Sequence, residues 1–301
     1  MPFTVSHAAA ALPFRRLRPI WPALVIGTLA PDFEYFLRLS DEDRMGHHLP
    51  GLLIVTLPLA VLAFWLFESY IREPIVELLP GGIQRRLPDV KRQCWFGRWD
   101  RFAAVVVWIT VGIATHIVWD WFTHSHTWIW ENWDWLEEYV AVPYHAPVMV
   151  AKLVQYASSL LGLAVLIVWF AFWYYRANPA RAVTTSGFSL RRKITIVGSV
   201  AGIALAACYP LAVTRLSYLY QATSFVALVG TMVEAVILLV VVQVLLYGIV
   251  RTYQLRCKPL PIRVAQQRRD RQQTSQQVGD LSETDAARLS AKDCSQVTPR
   301  S

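Results

Sequence analysis

Five stretches of the chain, at about 49–70, 102–123, 148–175, 194–214 and 222–250, stay apolar long enough to cross a bilayer. A spanning helix needs roughly 20 such residues, and each run reaches that length with few charges inside it. A sixth run, 19–38, is weaker: its apolar core, Trp21 to Ala30, is too short to span alone and ends in Pro31-Asp32-Phe33-Glu34-Tyr35. The pattern predicts an all-α, polytopic integral membrane protein with about five transmembrane helices plus a re-entrant or short N-terminal helix. If 19–38 is re-entrant, His7 shares a membrane side with His124; if it spans fully, the two lie on opposite sides.

The segments between the runs alternate in charge. Residues 71–101 carry Arg72, Arg85, Arg86, Lys91, Arg92, Arg98 and Arg101, residues 176–193 carry Arg176, Arg181, Arg191, Arg192 and Lys193, and the chain after Val250 is basic. Residues 124–147 have no Lys or Arg but hold Glu131, Asp134, Glu137 and Glu138, and 215–221 has only Arg215. Lys and Arg concentrate in cytoplasmic loops. The alternation therefore predicts a cell (inner) membrane protein with 71–101, 176–193 and the C-terminus cytoplasmic and 124–147 outside.

Composition narrows the class further. The 301 residues are 55% hydrophobic and 17% charged, with a mean hydropathy of +0.36, whereas soluble domains are about a quarter charged. A soluble globular domain, global disorder, collagen and a disulfide scaffold are excluded. The net charge of +8 comes from basic residues between apolar runs, so it reads as topology and contact with membrane lipids, not nucleic acid. Cys94, Cys208, Cys257 and Cys294 form no CxxC pair, which supports neither a thiolate zinc site nor a disulfide framework. The start lacks the charge-then-apolar order of a signal peptide. Six of 13 tryptophans (Trp119, Trp121, Trp128, Trp130, Trp133, Trp135) gather at one boundary, as an interfacial belt does. Residues 251–301 are polar and Gln-rich and read as a disordered cytoplasmic tail. Residues 1–250 form the membrane domain, its His- and Asp-bearing half at 1–147 and its scaffold helices at 148–250.

All seven histidines precede residue 146. His116, Asp120 and His124 recur at i, i+4, i+8 and so stack on one helix face. Charged and imidazole groups are expensive within a bilayer unless they face a polar cavity, one another or a cation. Imidazole with carboxylate suits zinc, manganese or iron. A structural polar cluster and a proton path remain alternatives. Asp32 and Glu34 end the weak first helix, and His47 and His48 precede the first strong run on the outer side. Ser6-His7, followed by small residues, opens a short helix, whereas His126 and His145 belong to the outer loop.

Three blocks carry a resemblance: Met1-Pro2-Phe3-Thr4 with Ser6-His7; Gly27 through Pro31-Asp32-Phe33-Glu34-Tyr35-Phe36; and His116-xxx-Asp120-x-Phe122-Thr123-His124. In order and spacing, over about 1–250, the chain resembles the bacterial "domain of unknown function 4184" membrane proteins, a family without a settled activity. It is more distantly similar to the membrane-bound metal-dependent hydrolases, though it has Met45-Gly46-His47-His48-Leu49 in place of their His-Arg-Gly-x-Thr-His-Ser-like stretch. The HxxxD pair also looks like that of the zinc-dependent phospholipase C enzymes. The resemblance implies a divalent metal, zinc, held by His7, Asp32, His47 or His48, His116, Asp120 and His124, with Asp32 or Glu34 as ligand or general base. It implies hydrolysis of a lipid-like ester or phosphoester. The alternative expectation is a non-catalytic structural or partner-binding membrane protein whose His and Asp residues form a buried polar network.

Overall fold

The computed structural model describes residues 4–17, 20–40, 46–87, 95–123, 127–141, 147–179, 188–219 and 225–256. It is almost entirely helical. Five helices are long and apolar enough to cross a membrane, within Leu49–Leu78, Trp99–Trp121, Val150–Arg176, Leu190–Ser217 and Ala227–Gln254. We number the main helices α1 (Trp21–Leu29), α2 (Phe33–Arg38), α3 (Leu49–Leu78), α4 (Trp99–Trp121), α5 (Val150–Arg176), α6 (Leu190–Leu219) and α7 (Phe225–Arg256). Two short strands, β1 (Tyr139–Val140) and β2 (Val148–Met149), pair antiparallel just before α5. The chain divides into two compact units, Met1–Ile249 and Val250–Ser301. In the second, the described residues are the end of α7, and the expected tail from 257 onward lies outside the described residues.

The N-terminus explains the weak sixth run. Thr4–Phe14 is a 3₁₀ helix of 11 residues, far longer than the usual three or four. At about 2.0 Å per residue it covers about 22 Å, where an α-helix of equal length covers about 16 Å. Phe14 packs against Trp108 of α4, at 6.0 Å between ring centroids. After the turn the chain comes back along α1, tied to the outgoing leg by Trp21 Nε1 donating to the Ala11 carbonyl at 2.8 Å. At nine residues, α1 is about 13 Å long, short of the roughly 30 Å a span requires. The two legs make a hairpin whose ends, His7 and Asp32, meet at the same place on α4.

Glycine permits a close approach of α1 to α4. α1 crosses α4 at Gly27 and Gly112, where a Cβ on Gly27 would collide with the Ile109 carbonyl oxygen and one on Gly112 with the Leu24 carbonyl. Small residues at a crossing are how membrane helices bring backbones together without a hydrophobic driving force. A core of Ile20, Ala23, Ala30, Ala60, Phe64, Trp95, Val105, Ile109 and Ile113 fills the space around α1, α3 and α4. α3 contains two π-turns, Leu52–Thr56 and Phe67–Ile71. α5 buries the stripe Ala151, Gln155, Ser159 and Gly162, with Gly162 set against Ser6 of the 3₁₀ helix. α6 and α7 meet the N-terminal half where Leu39 joins Cys208 and Ala235 in a small core.

Candidate metal centre

α4 supplies two of the site residues from its buried face. His116 and Asp120 are one turn apart, and His116 Nε2 lies 3.0 Å from Asp120 Oδ2. The 3₁₀ helix adds His7, whose ring stacks on that of His116 at 4.0 Å between centroids and whose Nε2 is 3.6 Å from Asp120 Oδ1. The turn between α1 and α2 adds Asp32, with Oδ1 3.6 Å from His116 Nε2 and 3.8 Å from His47 Nε2. His47, just before α3, completes the group: its Nε2 is 3.3 Å from Asp120 Oδ2 and 3.4 Å from His116 Nε2.

These spacings match those around a metal ion. In a tetrahedron with metal–ligand bonds of about 2.0–2.1 Å, donor atoms sit about 3.3 Å apart. Two triads, His7–Asp32–His116 and His47–His116–Asp120, each bring one donor atom per residue within 4.8 Å of the others. The donors are nitrogen and oxygen only, the set expected for zinc, manganese or iron.

The protonation chemistry also points to a cation. His116 Nδ1 lies 2.8 Å from the Thr28 carbonyl oxygen; a carbonyl can only accept, so Nδ1–H donates. In a neutral imidazole Nε2 then carries a lone pair, and that lone pair faces the Asp120 carboxylate. Two acceptors at 3.0 Å need a proton or a metal ion between them. The Thr28 contact is the kind of outer support that fixes the tautomer of a metal-ligating histidine. Tyr35 stands in a similar position to His47, with its hydroxyl oxygen 3.5 Å from Nδ1.

Burial makes the arrangement costly without such a cation. His116, Asp32, Asp120 and His7 are buried, and His47, half-buried, is the most exposed of the five. Asp32 Oδ1 is enclosed yet makes no hydrogen bond. Asp32 lies outside the five spans, and burial pushes its carboxyl above the ordinary carboxylate value. His116, a hydrogen bond with Thr4 and His47 pull it back, while the Asp120 charge pushes it further up. A bound cation inverts such a balance by favouring both ionised carboxylates.

The other candidates stand apart from this group or fall outside the described residues. His48 is exposed, while His47 beside it is half-buried. Glu34 is engaged through both oxygens, accepting from Arg38 Nη1 at 2.6 Å and from the Gly46 backbone N–H at 2.8 Å. His124 lies outside the described residues, as do His126 and His145. Sequence reasoning did not find the Thr28 carbonyl, which has no side-chain signal, or Tyr35, which only its place beside Asp32 could have suggested.

Fold and site together define a polytopic helical membrane protein with a His/Asp cluster, able to hold a metal ion, within the spanning bundle. Residues 1–253 match the model of the Domain of unknown function (DUF4184) family, and the chain belongs to that family. No curated protein and no solved structure matches it.

Proposed function

We propose that this protein is a zinc-dependent hydrolase that cleaves a lipid-like ester, a phosphoester in particular, at the membrane surface. The observation that carries the proposal is the convergence of His7, Asp32, His47, His116 and Asp120 around a contact between two acceptors, His116 Nε2 and Asp120 Oδ2. His7, His47, His116 and Asp120 would hold the ion, with Asp32 beside them. When bound, a divalent ion acts as a Lewis acid that lowers the pKa of a water from about 15.7 toward 7. Thr28 keeps His116 in one tautomer, and the packed hairpin keeps bulk water from the buried side. Asp32 Oδ1, enclosed and without a hydrogen bond, would be the oxygen placed to accept a proton there. Glu34, occupied by Arg38 and Gly46, is not needed for that step.

The substrate class rests on position. His116 is five residues from the end of α4, about 7–8 Å along the helix axis, which is the depth of an ester just under lipid headgroups. Trp121, Phe122, Trp133 and Trp135 are exposed at the same end, as interfacial aromatics are. The charge alternation supports an inner-membrane protein with this face outside and the C-terminus in the cytoplasm. The second reading, a non-catalytic polar network, draws on the same 3.0 Å contact, which a protonated His116 paired with Asp120 would also satisfy.

The test uses detergent-purified full-length protein on a chromogenic phosphodiester and on labelled phospholipid vesicles, with and without chelator. Metal-dependent release of product, lost in Asp120→Ala, supports the proposal. Stoichiometric metal without turnover leaves a binding or structural centre, and no metal in the wild type leaves the polar network.

A further inference from the structure

We infer that Glu34 is the positioning residue for His47: it fixes the loop that presents this histidine to the metal centre. The inference rests on the metal-centre reading above and assigns Glu34 a part other than proton transfer. His47 differs from its partners in how it is held. His116 and Asp120 are built into α4, His7 into the 3₁₀ helix and Asp32 into the buried turn before α2. His47 stands before the first turn of α3, half-buried, and cannot take its position from a helix of its own.

What secures it is on α2. Glu34 Oε2 accepts the N–H of Gly46, the residue before His47, at 2.8 Å. Glu34 Oε1 accepts from Arg38 Nη1, one turn on, at 2.6 Å. That ion pair holds the carboxylate in one rotamer, and Gly46 is buried where it receives the bond. Tyr35, the next residue on the same helix, brings its hydroxyl to 3.5 Å from His47 Nδ1. The helix is itself pinned at its far end. Arg215 of α6 donates from Nε to the Arg38 carbonyl at 2.9 Å, a cation capping the last carbonyls of a helix. Leu39, with φ of 49°, ends α2 in a left-handed residue and packs with Cys208 and Ala235. A continuous set of contacts thus runs from α6 through Arg38 and Glu34 to the backbone beside His47. Supports of this kind, once removed, typically cost about 10- to 100-fold in metal affinity.

The experiment measures cobalt(II) affinity and the visible absorption of the cobalt-loaded full-length protein in wild type, Glu34→Ala, Glu34→Asp and Glu34→Gln. Glu34→Ala is expected to weaken cobalt binding about 10- to 100-fold and to alter the absorption band. Glu34→Gln, whose amide oxygen can still accept from Gly46 but whose NH2 cannot accept from Arg38, is expected to fall between wild type and Glu34→Ala. Glu34→Asp keeps the charge but withdraws the carboxylate by one methylene, and it is expected to behave like Glu34→Ala; it decides the matter if Glu34→Ala fails to fold. Wild-type affinity and spectrum in the aspartate variant overturn the inference, as does a lowered melting temperature with unchanged cobalt binding. Failure of the wild type to bind cobalt overturns the metal-centre reading and this inference with it.

Discussion

The two halves of the bundle treat buried polarity in opposite ways and place their glycines differently. In the N-terminal half, Gly27 and Gly112 bring α1 against α4 until no Cβ would fit, and the polar groups buried there converge on one point. In α6 and α7, Gly198, Gly202 and Gly230 meet nothing within 4 Å among the described residues, while Gly248 is set against the Tyr70 backbone of α3. The buried polar groups of those helices, such as Lys193, Thr231 and Glu234, are scattered along them. The difference shows what the crossing is for. Only where backbones touch can a main-chain carbonyl, that of Thr28, reach an imidazole on the neighbouring helix and set its tautomer. The later helices contribute by bracing, through Leu39 and Arg215.

The largest expected effect breaks that contrast at its root. Gly112→Leu forces a side chain into the α1 backbone and should cost about 3 kcal/mol or more, the upper end of overpacking. Gly202→Leu, on open surface, should stay within about 0.5 kcal/mol. Thermal unfolding of both variants in the same detergent checks this, and equal losses would mean that the crossing is not special. Next in size, His116→Ala should abolish metal retention, while Glu234→Gln, equally buried but in the other half, should leave it intact; elemental analysis of both reads the difference.

A smaller effect concerns pH in the metal-free protein. The folded-state pKa of Asp32 is raised above the unfolded value. Its contribution to stability is therefore fully present below the unfolded value and fades as pH rises through the folded one. Melting temperature of the stripped protein should fall across that window, and Asp32→Asn should flatten the dependence. The smallest effect is expected for His48→Ala. This residue is exposed beside His47, so the change should stay within about 0.5 kcal/mol and spare metal binding, whereas His47→Ala should weaken it.

Much of this was legible in the sequence, for identifiable reasons. The five spans follow from apolar length alone, and the 3.6-residue period places His116 and Asp120 on one face. The Pro31-Asp32 step marked the end of a helix too short to span. Other features depend on contacts that a linear pattern does not carry. The depth of the hairpin turns on the 3₁₀ rise of Thr4–Phe14, which no residue spacing announces. Whether His47 or His48 turns inward depends on Gly46 and its bond to Glu34, twelve residues away. Glu34 itself looked like a second acid beside Asp32, and only its partners show a carboxylate already occupied.

The most direct test of the account is the metal content of detergent-purified protein, wild type beside His116→Ala and Asp120→Ala, with folding of each checked by circular dichroism. The account predicts about one equivalent or more of zinc in the wild type, held by nitrogen and oxygen donors, and its loss from both folded variants. A wild type that stays metal-free after reconstitution, with the variants merely less stable, would contradict it.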